Sequence, residues 1–267
     1  MAAPRVLDLF SGIGGFSLGL ERAGMRTAAF CEIDPFCQKV LRKHWPDIPR
    51  YGDVTDLTAE RLKQDGIEAD VICGGFPCQD LSHAQQRGAR GLDGERSGLW
   101  REYARLVGEI RPRHVVVENV PALADRGLGR VLGQLSEIGY DAEWGIISAG
   151  QLGLAHERKR LWIVAYPARD GRRGVDKDSE GRRPRLDISR HLAQVGQERR
   201  AERRRGPADI LQPVGRPFAS PSRGIGRNDD GLPAGVDRLR AIGNAVVPRI
   251  AEALGRAILE GMEGEGA

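Results

Sequence analysis

Arg5-Val6-Leu7-Asp8-Leu9-Phe10-Ser11-Gly12-Ile13-Gly14-Gly15-Phe16 decides the fold. The apolar run at 5–10 reads as a strand, and the glycines that follow let the backbone turn tightly. Residues 16–23 have helical spacing and stop at Gly24. A strand passed through a glycine turn into a helix is the opening of a βαβ unit.

The same alternation continues outward. Residues 27–30 form a second strand ending at Cys31-Glu32, and Pro35 opens a helix to about residue 44. The apolar run 71–73 is a buried strand that leaves through Gly74-Gly75-Phe76-Pro77-Cys78-Gln79-Asp80-Leu81-Ser82. Helical spacing returns over 99–110 and ends at Pro112. Residues 114–120 are a β-branched strand, 128–138 a helix before Gly139, and 144–148 and 160–165 further strands. A last helix covers 250–258. Strands alternating with helices predict an α/β fold with a parallel, doubly wound sheet. Ligands bind at the carboxyl ends of the strands in such sheets.

The 267 residues fit one sizeable domain with a small appendage. Apolar residues make up 40% and charged residues 29%, the balance of a soluble globular chain. No apolar run reaches the roughly 18 residues of a membrane span. The start, MAAPRVLDLFSG, enters a strand without a signal-peptide layout, so a cytoplasmic protein is expected. The cysteines are Cys31, Cys37, Cys73 and Cys78, with no CxxC pair; neither a disulfide framework nor a metal site is expected. Net charge is +4, which permits a nucleic-acid partner without requiring one.

The charge is uneven. Residues 166–235 hold 15 Arg and one Lys against 10 acidic residues, a net +6 that leaves −2 for the rest. Large apolar residues are sparse there and no period is sustained. By composition this is a solvated insertion or a small nucleic-acid-facing module. Three segments result: a catalytic domain at 1–165, the Arg-rich region at 166–235, and a segment at 236–267 that returns to the first.

Several residues can carry chemistry. The turn at 11–15 lacks the third glycine of the dinucleotide fingerprint, where Ser17 stands, so a nicotinamide oxidoreductase is disfavoured. Glu32 sits where an acid grips ribose hydroxyls, and Asp53 follows a Tyr-Gly turn where it can accept from an adenine amine. Each has an ordinary reading as a strand-end or turn carboxylate. Together with the glycine turn they point to a nucleoside cofactor without pyrophosphate. Cys78 is presented on a Pro77-stiffened loop at a strand end, as a nucleophile would be, although an isolated cysteine reads more readily as a buried thiol. Glu118 ends a run of valines, where burial would raise its pKa and let it donate a proton. Arg158 and Arg160 point to one face of an extended segment and can hold an anion.

These residues, in this order, resemble the cytosine carbon-5 DNA methyltransferases. The resemblance rests on DLFSGIGGFSLGLERAG, Glu32, Asp53, GGFPCQDLS, Glu118-Asn119-Val120, Arg158-x-Arg160 and Gly243-Asn244-Ala245-Val246-Val247-Pro248. It covers residues 5 to about 165 and 236–258, and is nearest the short bacterial and phage members. It implies the class I methyltransferase fold, with a target-recognition region inserted where the Arg-rich stretch lies. The cofactor implied is S-adenosylmethionine, with Phe10, Ser11, Gly12, Gly14 and Gly15 around the methionine part, Glu32 on the ribose, Asp53 on the adenine, and Pro77 and Asn244 beside it. Cys78 would add to cytosine carbon 6, making carbon 5 nucleophilic. Glu118 would bond ring nitrogen 3 and the exocyclic amine, while Arg158 and Arg160 orient a base flipped out of double-stranded DNA.

The family's Pro-Gln ahead of the Arg pair is Ala155-His156 here, and its Arg-Leu-Thr motif is not evident. Arg199, Arg200, Arg203, Arg204 and Arg205 are spaced for a phosphate-facing helix, and the region around them is expected to order on DNA. A monomer is expected; the sequence leaves open a role beside a separately acting restriction endonuclease, in phage self-protection or as an orphan enzyme. An RNA cytosine methyltransferase and a non-catalytic, cofactor-sensing DNA-binding protein are the alternatives.

Overall fold

A computed structural model describes residues 2–77, 98–152, 154, 157–168, 188–204, 241 and 243–264. The first unit is β1 (Arg5–Leu9), α1 (Gly15–Ala23), β2 (Arg26–Cys31), α2 (Pro35–His44) and β3 (Arg50–Tyr51). Then come α3 (Ala59–Gln64), β4 (Val71–Gly74), α4 (Gly98–Ile110), β5 (His114–Asn119), α5 (Leu123–Arg126) and α6 (Leu128–Glu137). The chain continues with β6 (Tyr140–Ser148), β7 (Lys159–Pro167), α7 (Ile188–Arg204) and α8 (Pro248–Gly264).

The seven strands form one sheet in the order β3-β2-β1-β4-β5-β7-β6. β1 pairs in parallel with β2 and β4, and β4 with β5. The expectation of a parallel sheet fails at β7, which is antiparallel to both β5 and β6. A central run such as Leu161-Trp162-Ile163-Val164-Ala165 is buried on both faces and carries no mark of its direction. The order reverses between β1 and β4, and this switch point places the ends of β1, β2, β4 and β5 around one crevice.

Side-chain alternation splits the core into two layers. Leu7, Leu9, Ile72, Val115 and Val117 face Trp100, Tyr103 and Leu106 of α4. Val6, Val71, Cys73 and Val116 face Phe16 and Leu20 of α1 and Ile250, Leu254 and Ile258 of α8. The last helix is longer than expected and lies along α1. The backbones approach closely: a Cβ on Gly19 would stand 2.2 Å from the Pro248 carbonyl oxygen.

Part of the Arg-rich region is helical and packs on the core. Residues 188–204 form α7, docked through Ile188, Leu192 and buried Val195 onto the α8 side of the core. Their spacing of four and three is one helical stripe, enough to bury against an existing layer though too narrow to build a core alone. Polar contacts complete the docking: Arg256 in α8 donates to both Glu198 oxygens at 2.8 and 2.9 Å and to Glu252 at 2.7 Å, and Glu260 pairs with Arg190 and His191. Among the described residues no helix is long and apolar enough to cross a membrane, and no cluster of His, Cys, Asp or Glu could hold a metal ion.

Candidate active site

A cleft of about 640 Å³ opens at the carboxyl ends of β1, β2, β4 and β5. Of the residues expected to bind a cofactor or act on a base, Phe10, Ser11, Gly12, Glu32, Asp53, Pro77, Glu118, Arg158, Arg160 and Asn244 line it.

The β1–α1 turn forms one end. It passes through left-handed backbone at Phe10, Gly12 and Gly14 (φ 51°, 54° and 85°). Phe10 in that region is strained, so the turn must be held from outside. Ser11 Oγ donates to the Asp8 carbonyl at 2.6 Å, and Ser11 N–H to the Cys31 carbonyl at 3.2 Å. Gly12 N–H donates to Glu32 Oε2 at 2.7 Å, and Asp34 N–H to Glu32 Oε1 at 2.8 Å. Burial raises the Glu32 pKa, and these amide bonds oppose the rise. Asp53 Oδ1 accepts from the Thr55 amide and hydroxyl at 2.9 and 2.8 Å, which fixes its carboxylate.

Gly14 and Gly15 stand behind the turn and do not line the cleft. A Cβ on Gly14 would come within 2.6 Å of Trp45, and one on Gly15 within 2.7 Å of the Val246 carbonyl oxygen. They let α2 and the segment before α8 pack against the start of α1.

Glu118, Arg158 and Arg160 form the other end. Glu118 is buried, and burial raises its pKa against the opposing pull of Arg160 and Arg158. Arg160 Nε lies 2.9 Å from Glu118 Oε1, an ion-pair distance, yet Oε1 accepts no aligned hydrogen bond. Arg158 Nη1 donates to the Gly243 carbonyl at 2.5 Å, while its Nε and Nη2 are buried without a partner among the described residues. Desolvation, together with Arg160, lowers the Arg158 pKa. Gly75 lies under Glu118: a Cβ there would meet Oε2 at 2.8 Å.

Cys78 and Arg205 lie outside the described residues, as does most of 166–235. Arg199, Arg200, Arg203 and Arg204 fall in the last turns of α7. Pro77, the residue before Cys78 in the sequence, lines the cleft. The three described cysteines are buried. Burial pushes the Cys31 thiol up to about 12 and Cys73 well above its ordinary value.

Sequence reasoning missed three residues. Asn119 Nδ2 donates to the Phe76 carbonyl at 3.1 Å and so pins the loop before Pro77; its signal was its place after Glu118 at a strand end. Ile33 is 65% exposed and lines the cleft beside Glu32; its signal was an apolar residue in a polar turn. Asp8, wholly buried, accepts the Ser17 hydroxyl at 2.7 Å and the Ser17 amide at 3.3 Å on Oδ2. It thereby caps α1, whose own N-cap, Gly14, has no side chain to offer. Its signal was an acid in an apolar strand.

The C-5 cytosine-specific DNA methylase model matches residues 4–199. Type II methyltransferase M2.BsuMI of Bacillus subtilis is 36% identical over 169 residues, 60% of this chain and 41% of its own. Type II methyltransferase M.AquIA of Picosynechococcus is 33% identical over 177 residues, 60% of this chain and 71% of its own. The chain spans less than half the length of M2.BsuMI and of M.DsaV from Dactylococcopsis salina. A prophage-encoded Escherichia coli protein assigned as a DNA modification methyltransferase shares the fold over 98% of this chain and all of its own, with TM-score 0.62 and 20% identity. S. pombe Dnmt2 methyltransferase does so over 71% of this chain and 59% of its own, with TM-score 0.52 and 20% identity. The fold and cleft agree with the sequence match over residues 4–199, and the chain belongs to the C-5 cytosine-specific DNA methylase family.

Proposed function

We propose that this protein transfers a methyl group from S-adenosylmethionine to carbon 5 of a cytosine in duplex DNA, through a covalent bond between Cys78 and the base. One observation carries the reading. A single cleft has a nucleoside-binding wall at one end and a buried carboxyl between two guanidiniums at the other.

The first end fits the cofactor. Gly12 and Gly52 leave bare backbone facing the cleft, with nothing within 4 Å of a Cβ built at either. Ile33 offers an apolar face for the adenine, Glu32 a carboxylate for the ribose hydroxyls, and Asp53 a fixed acceptor for the adenine amine. Phe10, Ser11 and Gly12 would hold the methionine part, and Pro77 and Asn244 the open side. Bound there, the cofactor supplies an electrophilic methyl group.

The chain's own residues do the rest. A thiolate is the attacking species, and Cys78, directly after Pro77 of the cleft lining, takes that role; burial makes the thiols of Cys31 and Cys73 resist ionising. Burial raises the Glu118 pKa, which favours a proton on the carboxyl that it can share with ring nitrogen 3 as charge builds on the ring. Arg160 holds the carboxyl in place, and the unpartnered donors of Arg158 face an incoming oxygen. The last turns of α7, with Arg199, Arg200, Arg203 and Arg204, would contact phosphates.

A duplex bearing 5-fluorocytosine tests this, because fluorine blocks the final elimination. Wild-type protein should be trapped covalently in a cofactor-dependent way. Cys78→Ser should trap nothing while retaining cofactor binding. Trapping by the Ser variant overturns the assignment, and transfer to tRNA but not to duplex DNA would make this an RNA enzyme.

A further inference from the structure

The segment Gly243–Val247 spans the cleft from one end to the other. Asn244, Ala245 and Val246 line it, and the Val246 carbonyl rests on Gly15 at the start of α1. Gly243 and Asn244 themselves are exposed, so packing does not fix them. Gly243 is fastened from the opposite end: its carbonyl accepts Arg158 Nη1 at 2.5 Å, across 85 positions of sequence. The same guanidinium keeps Nε and Nη2 buried and without a partner among the described residues. Arginine's rigid fork can serve two such targets at once.

We propose that Arg158 is a strut between the two ligand sites: Nη1 holds the Gly243–Val246 segment over the cofactor, while Nε and Nη2 receive an oxygen of the target nucleotide. This rests on the cofactor reading above. Its consequence is that cofactor affinity depends on Arg158 before any DNA is present. An oxygen bound at Nε and Nη2 fixes the guanidinium and hence the segment, so DNA should tighten cofactor binding, and cofactor should tighten DNA binding by the same factor.

Calorimetric titration of S-adenosylmethionine into the full chain without DNA is the test. Loss of a hydrogen bond from a charged donor should raise the Kd of Arg158→Ala by about tenfold. Arg158→Lys can reach one carbonyl with its ammonium but cannot present the other two donors. It should recover most of the cofactor affinity while single-turnover transfer stays low. Lys159→Ala removes a neighbouring, mostly exposed charge that does not touch Gly243, and should bind cofactor like wild type. In wild type a saturating duplex should lower the cofactor Kd, and in Arg158→Ala it should not. Wild-type cofactor affinity in Arg158→Ala overturns the strut and leaves Arg158 a contact to the target alone. An equal loss in Lys159→Ala overturns it in favour of a general charge effect. Failure of the wild-type chain to bind cofactor would instead sink the reading on which the strut rests.

Discussion

At the cofactor end of the cleft the polar side chains are satisfied by the protein itself; at the Glu118 end they are not. Both Glu32 oxygens accept backbone amides, and Asp53 is held by Thr55. Arg158 Nε and Nη2 are buried with no hydrogen-bond partner among the described residues, and Glu118 Oε1 has only its unaligned ion pair with Arg160. A polar atom left so costs about 1–3 kcal/mol. The first end is therefore complete before its ligand arrives. The second is held in an incomplete state whose missing partners a cytosine and its phosphate can supply. Changes at the first should weaken binding, and changes at the second should slow the chemistry.

Asp8 breaks the pattern, and gives the largest expected effect. It lies beneath the cofactor end, yet its Oδ1 has no aligned hydrogen bond among the described residues, and burial pushes its pKa up to about 7 against the opposing pull of Ser17 and the Cys73 thiol. Below about pH 4 the folded and unfolded chains both hold this proton. As pH rises toward 7 the unfolded chain releases it and the folded chain does not, so stability falls across that window by up to about 4 kcal/mol. Asp8→Asn should remove this slope. Denaturant unfolding at pH 4.5 and 7.5 measures it, and parallel slopes in the two proteins would show that Asp8 is ionised when folded.

Glu118→Gln keeps the shape but removes the proton donor, and should cost about 100-fold or more in single-turnover rate. Because burial raises the Glu118 pKa, the wild-type rate should fall as pH climbs past that raised value, and the Gln variant should not share the fall. A loss below threefold would make Glu118 structural. Glu32→Ala belongs to the other end. It should raise the cofactor Kd about tenfold, the range for losing a hydrogen bond to a charged group, and change the rate at saturating cofactor far less. An unchanged Kd would remove Glu32 from the site.

The sheet and much of the cleft lining were legible because they rest on local pattern. Val71-Ile72-Cys73 and His114–Asn119 announce buried strands, and Glu32 and Glu118 follow from standing at strand ends. What stayed hidden depends on distance along the chain. β7 reads the same in either direction, and Tyr140-Asp141-Ala142-Glu143 hid the first half of β6 because an edge strand keeps polar residues. Asn119 acts on a carbonyl 43 positions away, and Arg158 on one 85 positions away. No spacing rule reaches that far. A glycine-rich turn such as the one at Gly14 and Gly15 announces close approach, but not whether a ligand or another helix is what approaches.

The smallest effect on chemistry is expected from α7, and there the comparison extends beyond the cleft. α7 runs antiparallel to α8: Arg190 and His191 meet Glu260, whereas Glu198 meets Arg256. Arg203 and Arg204 stand at the end of α7 away from the Arg190–Glu260 contact. Arginines on a helix docked by its opposite half suit phosphates, which fix register and affinity but do not encode sequence. Replacing Arg203, Arg204 and Arg205 with Ala should weaken binding to all duplexes alike and flatten the dependence of log K on log salt by up to about three units. The rate at saturating DNA and the choice of cytosine should survive. A wild-type salt slope would mean that the helix only covers the core. A changed set of methylated cytosines would make these residues base readers, and α7 would then belong with Glu118 and Arg158 among the parts that the substrate completes.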